Sequence, residues 1–137
     1  MLRKWTRMKE EDGQGLVELG IAIPVVLFVL LGILEFGWLF NAKITLTSAA
    51  REGARVAVVS TIDQRNRAYL ASSEAVSGVS GITIPNDSTH FVYYTDDEIV
   101  TNTNDAIVEI KGLVQPLIGL FYNGPVEIQA KAVMRIE

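Results

Sequence analysis

Residues 13–40 read Gly13-Gln14-Gly15-Leu16-Val17-Glu18-Leu19-Gly20-Ile21-Ala22-Ile23-Pro24-Val25-Val26-Leu27-Phe28-Val29-Leu30-Leu31-Gly32-Ile33-Leu34-Glu35-Phe36-Gly37-Trp38-Leu39-Phe40. From Leu19 to Phe40 the run carries a single charged residue, Glu35. As a helix, those twenty-two residues cover about 33 Å at about 1.5 Å per residue, enough to cross a hydrocarbon core. Fifteen of them are Leu, Ile, Val or Phe. At about −0.3 to −0.6 kcal/mol each, they favour insertion by on the order of 5 to 9 kcal/mol, an upper bound because the scale weakens toward the helix ends. Glu35 lies toward the exit end, where a charge costs less than the roughly 3 kcal/mol of a central one. Pro24 lies toward the start, where a missing backbone hydrogen bond does least harm. The balance favours a membrane span.

Outward from the span, 137 residues and 15.0 kDa fit one small domain plus an anchor. Cysteine is absent and His90 is the only histidine. That excludes a disulfide framework and a thiolate metal site, and argues against a histidine-based triad or multi-histidine cluster. The net charge of −4 argues against nucleic acid as a partner. No nucleophile–base pair or phosphate-binding loop stands out, so no enzyme and no cofactor are expected. Asp96-Asp97-Glu98 lacks the ligand spacing and turn glycine of a calcium loop and reads as a solvated acidic turn. No metal site is expected.

Charge is unevenly placed. Arg3, Lys4, Arg7 and Lys9 precede the span and favour a cytoplasmic N-terminus with the C-terminal domain outside. Lys43, Arg51 and Arg55 follow it and weaken that bias. An ordinary secretory signal has a shorter apolar core, and Thr47-Ser48-Ala49-Ala50 lies well beyond the span for its cut.

The helical pattern continues past the membrane. Over 41–60, Lys43, Thr47, Arg51 and Arg55 share one face, and Leu46, Ala49, Ala50, Gly53 and Ala57 share another, which is amphipathic spacing. The small residues Ala49, Gly53 and Ala57 allow close helix packing, against the chain's own domain and, in addition, against other subunits. Asp63 is placed to cap a second helix over Gln64–Val76, with Ile62, Tyr69, Leu70 and Val76 as its inner face. Strands are expected at 82–84, 91–95, 106–111 and 126–136. The last alternates: Val126, Ile128, Ala130, Ala132, Met134 and Ile136 face one way, Glu127, Gln129, Lys131 and Arg135 the other, as in a half-buried antiparallel strand. Leu117–Phe121 reads as a short helix or an apolar loop, and His90 as a strand-edge residue. The expected fold class is α+β and pilin-like. A long transmembrane helix continues into a small domain with a second helix and a 3–4-stranded antiparallel sheet.

Several segments in order resemble the TadE-like family of minor pilins (pseudopilins) of tight-adherence, or Tad/Flp, type IVc pili. They are Gly13-Gln14-Gly15-Leu16-Val17-Glu18, then Ile23-Pro24 with its apolar run, then Gly32-Ile33-Leu34-Glu35-Phe36-Gly37, then Ala49-Ala50-Arg51-Glu52-Gly53-Ala54-Arg55. Ala130-Lys131-Ala132-Val133-Met134-Arg135 fits more loosely. Leu19 stands where major Flp pilins usually carry an aromatic residue, which favours a minor subunit. The resemblance implies cleavage by a prepilin peptidase between Gly13 and Gln14, and an assembly contact in which Glu18 pairs with a neighbour's terminal amine. The bare reading of Glu18 is a carboxylate at the membrane surface that stabilises the helix N-terminus. Glu35 is the membrane-buried polar residue, and either reaches the outer interface or bonds a neighbouring helix.

The implied organisation is a basic leader (1–13), a transmembrane helix (14–40), its amphipathic continuation (41–60) and an extracytoplasmic α+β domain (61–137). The implied partners are the membrane, the prepilin peptidase, TadF- and TadG-like minor pilins, the major Flp pilin and the inner-membrane assembly platform. The implied course is a single-pass inner-membrane protein, N-terminus in and C-terminus out, later incorporated into an extracellular pilus to prime, cap or tip it and support adhesion. A different class of function also fits the residues: an uncleaved, signal-anchored envelope protein that binds a ligand or partner through its outer domain.

Overall fold

The computed structural model describes residues 3–96 and 105–136, with side chains described for 13–95 and 105–136. Its elements are α1 (Arg3–Val59), α2 (Gln64–Ser77), β1 (Ile82–Thr83), β2 (Phe91–Asp96), β3 (Asp105–Val114) and β4 (Val126–Arg135). The fold is α+β with an antiparallel four-strand sheet, as expected from the sequence. Of the acidic turn, Asp97 and Glu98 lie outside the described residues, as do the side chains of the basic leader.

The chain forms two compact units, Met1–Phe36 and Gly37–Glu137. The first is helix alone. Pro24 sits inside α1 and leaves the carbonyl of Gly20 without its helical donor. The second unit begins at Gly37. Trp38 and Leu39 already pack on its core.

In the second unit, α1 is the spine. Ala42, Leu46, Ala49, Ala50, Ala54 and Ala57 are fully buried on one stripe, and Gly53 is buried with them. Their short side chains let α2 and the sheet approach the helix backbone. A Cβ on Gly53 would stand 2.2 Å from Ser72 Oγ and 3.0 Å from the Ala68 carbonyl. Ser72 Oγ donates to the Ala49 carbonyl at 3.0 Å, tying α2 to α1. The inner face of α2 is Ala68, Ser72 and Val76. Ile62 and Leu70, expected there, are exposed, while Tyr69 is half-buried and Val76 is buried. A seam built on alanine and glycine has room for small partners, so the bulkier residues turn outward.

Asp63 precedes α2 but does not cap it with its side chain. Its backbone is left-handed, at φ 53° and ψ 47°, a conformation that Asp and Asn tolerate better than most residues. The sharp turn from α1 into α2 fixes that backbone, and Asp63 contributes its carbonyl, which accepts from Arg67 N–H at 3.0 Å.

β3 is the central strand. β4 pairs along its whole length, from Asp105↔Arg135 to Val114↔Val126. β1 and β2 share its other edge end to end, opposite 113–114 and 105–110. The expected alternation of β4 holds, with Ala130 and Ala132 buried and Glu127, Gln129, Lys131 and Arg135 exposed. Facing rows such as Phe91–Ile110–Ala130 and Tyr93–Val108–Ala132 form the inner layer. Phe91 is fully buried and meets Tyr69 edge-on, with centroids 5.3 Å apart. β3 runs to Val114, beyond the expected end at Lys111, because Gly112 continues the ladder. A Cβ on Gly112 would fall 2.5 Å from a Leu46 methyl carbon, so the missing side chain is the seat of Leu46 on the sheet.

The outer face carries charge. Glu109 and Lys131 are directly opposite, with Nζ 3.0 Å from Oε1. The Tyr94 hydroxyl donates to Glu109 at 3.2 Å and accepts from Lys131 at 3.3 Å. The Lys131 hydrogen bond is the main cause holding the Glu109 carboxyl below its ordinary pKa. Glu109 in turn raises Lys131.

Two measurements on the full chain in detergent micelles test this packing. Leu46→Ala should cost about 2–5 kcal/mol and Gly112→Ala about 1–3 kcal/mol by overpacking. The double variant should lose clearly less than the sum, since each change makes room for the other; additive denaturant-unfolding losses would refute the contact. The second measurement is pH dependence. A depressed Glu109 adds stability above its unfolded pKa of about 4.3, lost as pH falls through the lower folded value. A raised Lys131 adds stability below about 10.4, lost as pH rises through the higher folded value. The difference in unfolding midpoint between the native chain and Glu109→Gln should therefore be greatest between about pH 5 and pH 10 and shrink on both sides.

Candidate functional site

The residues singled out for processing and assembly stand on the first unit. Gly13, Gln14 and Glu18 are all exposed on α1. At 3.6 residues per turn, Gln14 and Glu18 share a helix face, separated by a rise of about 6 Å. The peptide bond between Gly13 and Gln14 is helical. A peptidase must unwind it to reach the carbonyl. Glycine at 13 and 15 lowers that cost, by about 1 kcal/mol each relative to alanine.

Gly32 of α1 is buried, and the other glycines of the helix fall into two kinds. Gly53 is filled by its neighbours in the chain. At Gly13, Gly15, Gly20 and Gly37 an added Cβ would meet nothing within 4 Å. Packing inside the chain therefore gives no reason for those four to lack side chains, although each weakens the helix.

The segment between is apolar and uncovered. α1 is the one helix among the described residues long and apolar enough to cross a membrane, and none of its most apolar stretch is buried. Glu35 interrupts the exposed run. It is only 1% exposed, and among the described residues no buried side-chain oxygen or nitrogen lacks a hydrogen-bond partner.

Ala49, Gly53 and Ala57 are buried inside the second unit, with Gly53 against α2. The surface of α1 left open there comprises Phe40, Ile44, Ser48, Arg51, Arg55 and Val59. Arg55 Nη2 pairs with Glu52 at 2.6 Å on that surface. Lys43, read as part of the basic face, donates instead to the Gln129 carbonyl of β4. His90 belongs to a turn rather than to a free strand edge. Asp87 Oδ1 accepts from the backbone N–H of Thr89 and of His90, each at 2.8 Å. The His90 backbone N–H is the main cause keeping the Asp87 carboxyl below its ordinary pKa. No cluster of three or more potential metal ligands occurs among the described residues.

Trp38 was not singled out by its sequence, though an aromatic residue at the end of an apolar span is itself a signal. Its Nε1–H donates to the Gln115 carbonyl at 2.9 Å, joining the start of the second unit's helix to the end of β3.

The family model of TadE-like proteins matches residues 13–55. No curated protein and no solved structure matches the chain. The matched segment starts at Gly13 and ends at Arg55, taking in the uncovered apolar helix and most of the buried small-residue stripe. Over residues 13–55 the chain is similar to TadE-like proteins, a structural family associated with Tad pili.

Proposed function

We propose that the chain is a minor pilin of a Tad/Flp pilus, held in the inner membrane with its C-terminal unit outside, cut by a prepilin peptidase after Gly13, and then assembled into the filament. The observation that carries this reading is the coincidence of the TadE-like match with an uncovered apolar helix that starts at an unpacked glycine. The four glycines without intrachain neighbours suit partners outside the chain: a peptidase at Gly13 and Gly15, and closely packed helices at Gly20 and Gly37.

Cleavage would leave an ammonium at Gln14 on the positive end of a helix dipole, an unfavourable placement. In an apolar setting that charge needs a partner. Glu18 of the same or a neighbouring chain supplies one. The neighbour's carboxylate gives register between subunits, because each amine then marks where the next helix sits. The TadF- and TadG-like proteins, the major Flp pilin and the assembly platform are the partners this role requires. The open face of α1, with Phe40, Ile44 and Arg51, is the surface for lateral packing.

Processing is read by mass. The mature chain should begin at Gln14, and replacing Gly13 with a bulky residue should leave a full-length membrane-held precursor. A mature species retaining Met1 would favour the uncleaved envelope-anchor reading, and a cut near Ala50 would favour a secretory signal. A periplasm-dependent reporter fused after Glu137 should be active.

Glu18 is read by assembly. Glu18→Ala and Glu18→Gln should both insert, be cut and keep a folded second unit. Loss of one charged hydrogen bond, about 1.5–3 kcal/mol, should lower crosslinking to partner pilins roughly ten- to hundredfold. Crosslinking at the native level in both variants would refute the contact. A failure of cleavage alone would make Glu18 a peptidase recognition residue.

A further inference from the structure

The link between β3 and β4 runs from Gln115 to Pro125 and contains no charged residue. Its apolar side chains face outward: Leu117 is 55% exposed, Leu120 44%, Phe121 44% and Tyr122 42%. In a chain of net charge −4, an uncharged stretch with this many exposed apolar and aromatic side chains is unusual for a surface that meets water alone.

The root of the loop is pinned. Trp38 Nε1–H donates to the Gln115 carbonyl, and Gln115 N–H donates to the Gly81 carbonyl at 2.7 Å. Gly81 has φ +79°, and a Cβ there would stand 3.3 Å from the Trp38 ring, so the glycine lets the three strands of chain meet. One further contact keeps the order of sheet and helix. Leu46 seats on Gly112. From Trp38 to Leu46 the helix rises about 12 Å, and from Gly112 to Gln115 the strand rises about 10 Å, so β3 runs back along α1 toward the residue where the second unit begins. Trp38 lies at the exit end of the apolar run, two residues before Phe40. The covalent chain alone therefore holds the root of the loop near the end of the span.

We infer that the 117–122 loop is a membrane-interface anchor, with Leu120, Phe121 and Tyr122 seated at the boundary of headgroups and acyl chains on the outer leaflet before assembly. The inference rests on the span reading of the first unit. The chemistry fits a lipid surface: aliphatic residues for the acyl boundary, Tyr122 and Trp38 with one polar tip each for the headgroup level, and no carboxylate to repel anionic lipid. Seated this way, the loop fixes how far the domain stands from the bilayer, as a second point of attachment beside the span.

Because the chain lacks cysteine, single-cysteine variants report depth directly. Leu27→Cys, Leu120→Cys and Thr61→Cys, each carrying an environment-sensitive fluorophore, are placed in the full chain at one chain per nanodisc. The discs contain phosphatidylcholine and phosphatidylglycerol with brominated acyl chains. The label at 27 should be strongly quenched and that at 61, past the far end of α1, unquenched. The label at 120 should be blue-shifted and quenched to an intermediate degree. A label at 120 as wet as that at 61, while 27 is quenched, overturns the anchor and leaves the span intact. Drying at 120 only when several chains share a disc overturns it in favour of a partner chain. An unquenched label at 27 overturns the span reading, and the anchor with it.

Discussion

The depth at which a helix can be approached governs this domain. Along one stripe of α1 the side chains are alanine or glycine, interrupted by Leu46, and all are buried. Close packing forfeits contact energy wherever a gap of even a fraction of an ångström remains. A stripe of small residues therefore demands partners that come close, and the structure meets that demand on two sides. On one side α2 presents Ala68 and Ser72, and the Ser72 hydroxyl reaches the α1 backbone itself. On the other, β3 presents Gly112 and receives Leu46. The larger core side chains, Phe91 and Ile110 among them, fill the space away from the helix axis.

The same residue type serves opposite ends along α1. Gly53 and Gly112 lack side chains because their own chain occupies the space. Gly13, Gly15, Gly20 and Gly37 lack them where the chain leaves the space empty. Each helical glycine weakens the helix by about 1 kcal/mol relative to alanine. At Gly53, tight packing offsets that cost. At Gly13, Gly15, Gly20 and Gly37, no described residue does. An energetic asymmetry of this kind separates a helix that builds its own fold from a helix that is finished by something else.

How much was legible in the sequence follows the same line. The length of the apolar run, the amphipathic stripe over 41–60, the second helix and the alternation of β4 all rest on periodicity, which survives folding because it is a property of local geometry. What failed needed knowledge of the partner surface. Ile62 and Leu70 looked like the inner face of α2 by hydrophobicity, but a partner made of alanines accepts Ala68 and Ser72. Gly112 looked like the end of a strand, and only the position of Leu46 explains why the strand passes through it. Asp63 had the residue type of a helix cap, yet the turn geometry gave it a left-handed backbone instead. The proposed site, Gly13, Gln14 and Glu18, is a linear string of residues, a kind of feature that needs no folded surface to be read. Burial of the Ala49–Ala57 stripe and the exposure of the 117–122 loop are properties of the folded surface.

One helix thus serves two kinds of environment, running from Arg3 to Val59 with a single helical donor lost at Pro24. The ties of the second unit to that helix are spread along it: Trp38 to Gln115, Lys43 to Gln129, Leu46 against Gly112, Ala49 to Ser72. A force along α1 is therefore shared over about three turns rather than borne at one joint. A span that leaves the bilayer forfeits on the order of 5 to 9 kcal/mol of insertion free energy, and the most apolar stretch of α1 is not buried among the described residues. Departure is favourable only into another apolar environment, and other spans of like length supply it. The uncovered helix and the well-tied domain are in that sense complementary: the domain can be carried by α1 as a unit, and α1 requires company wherever it goes.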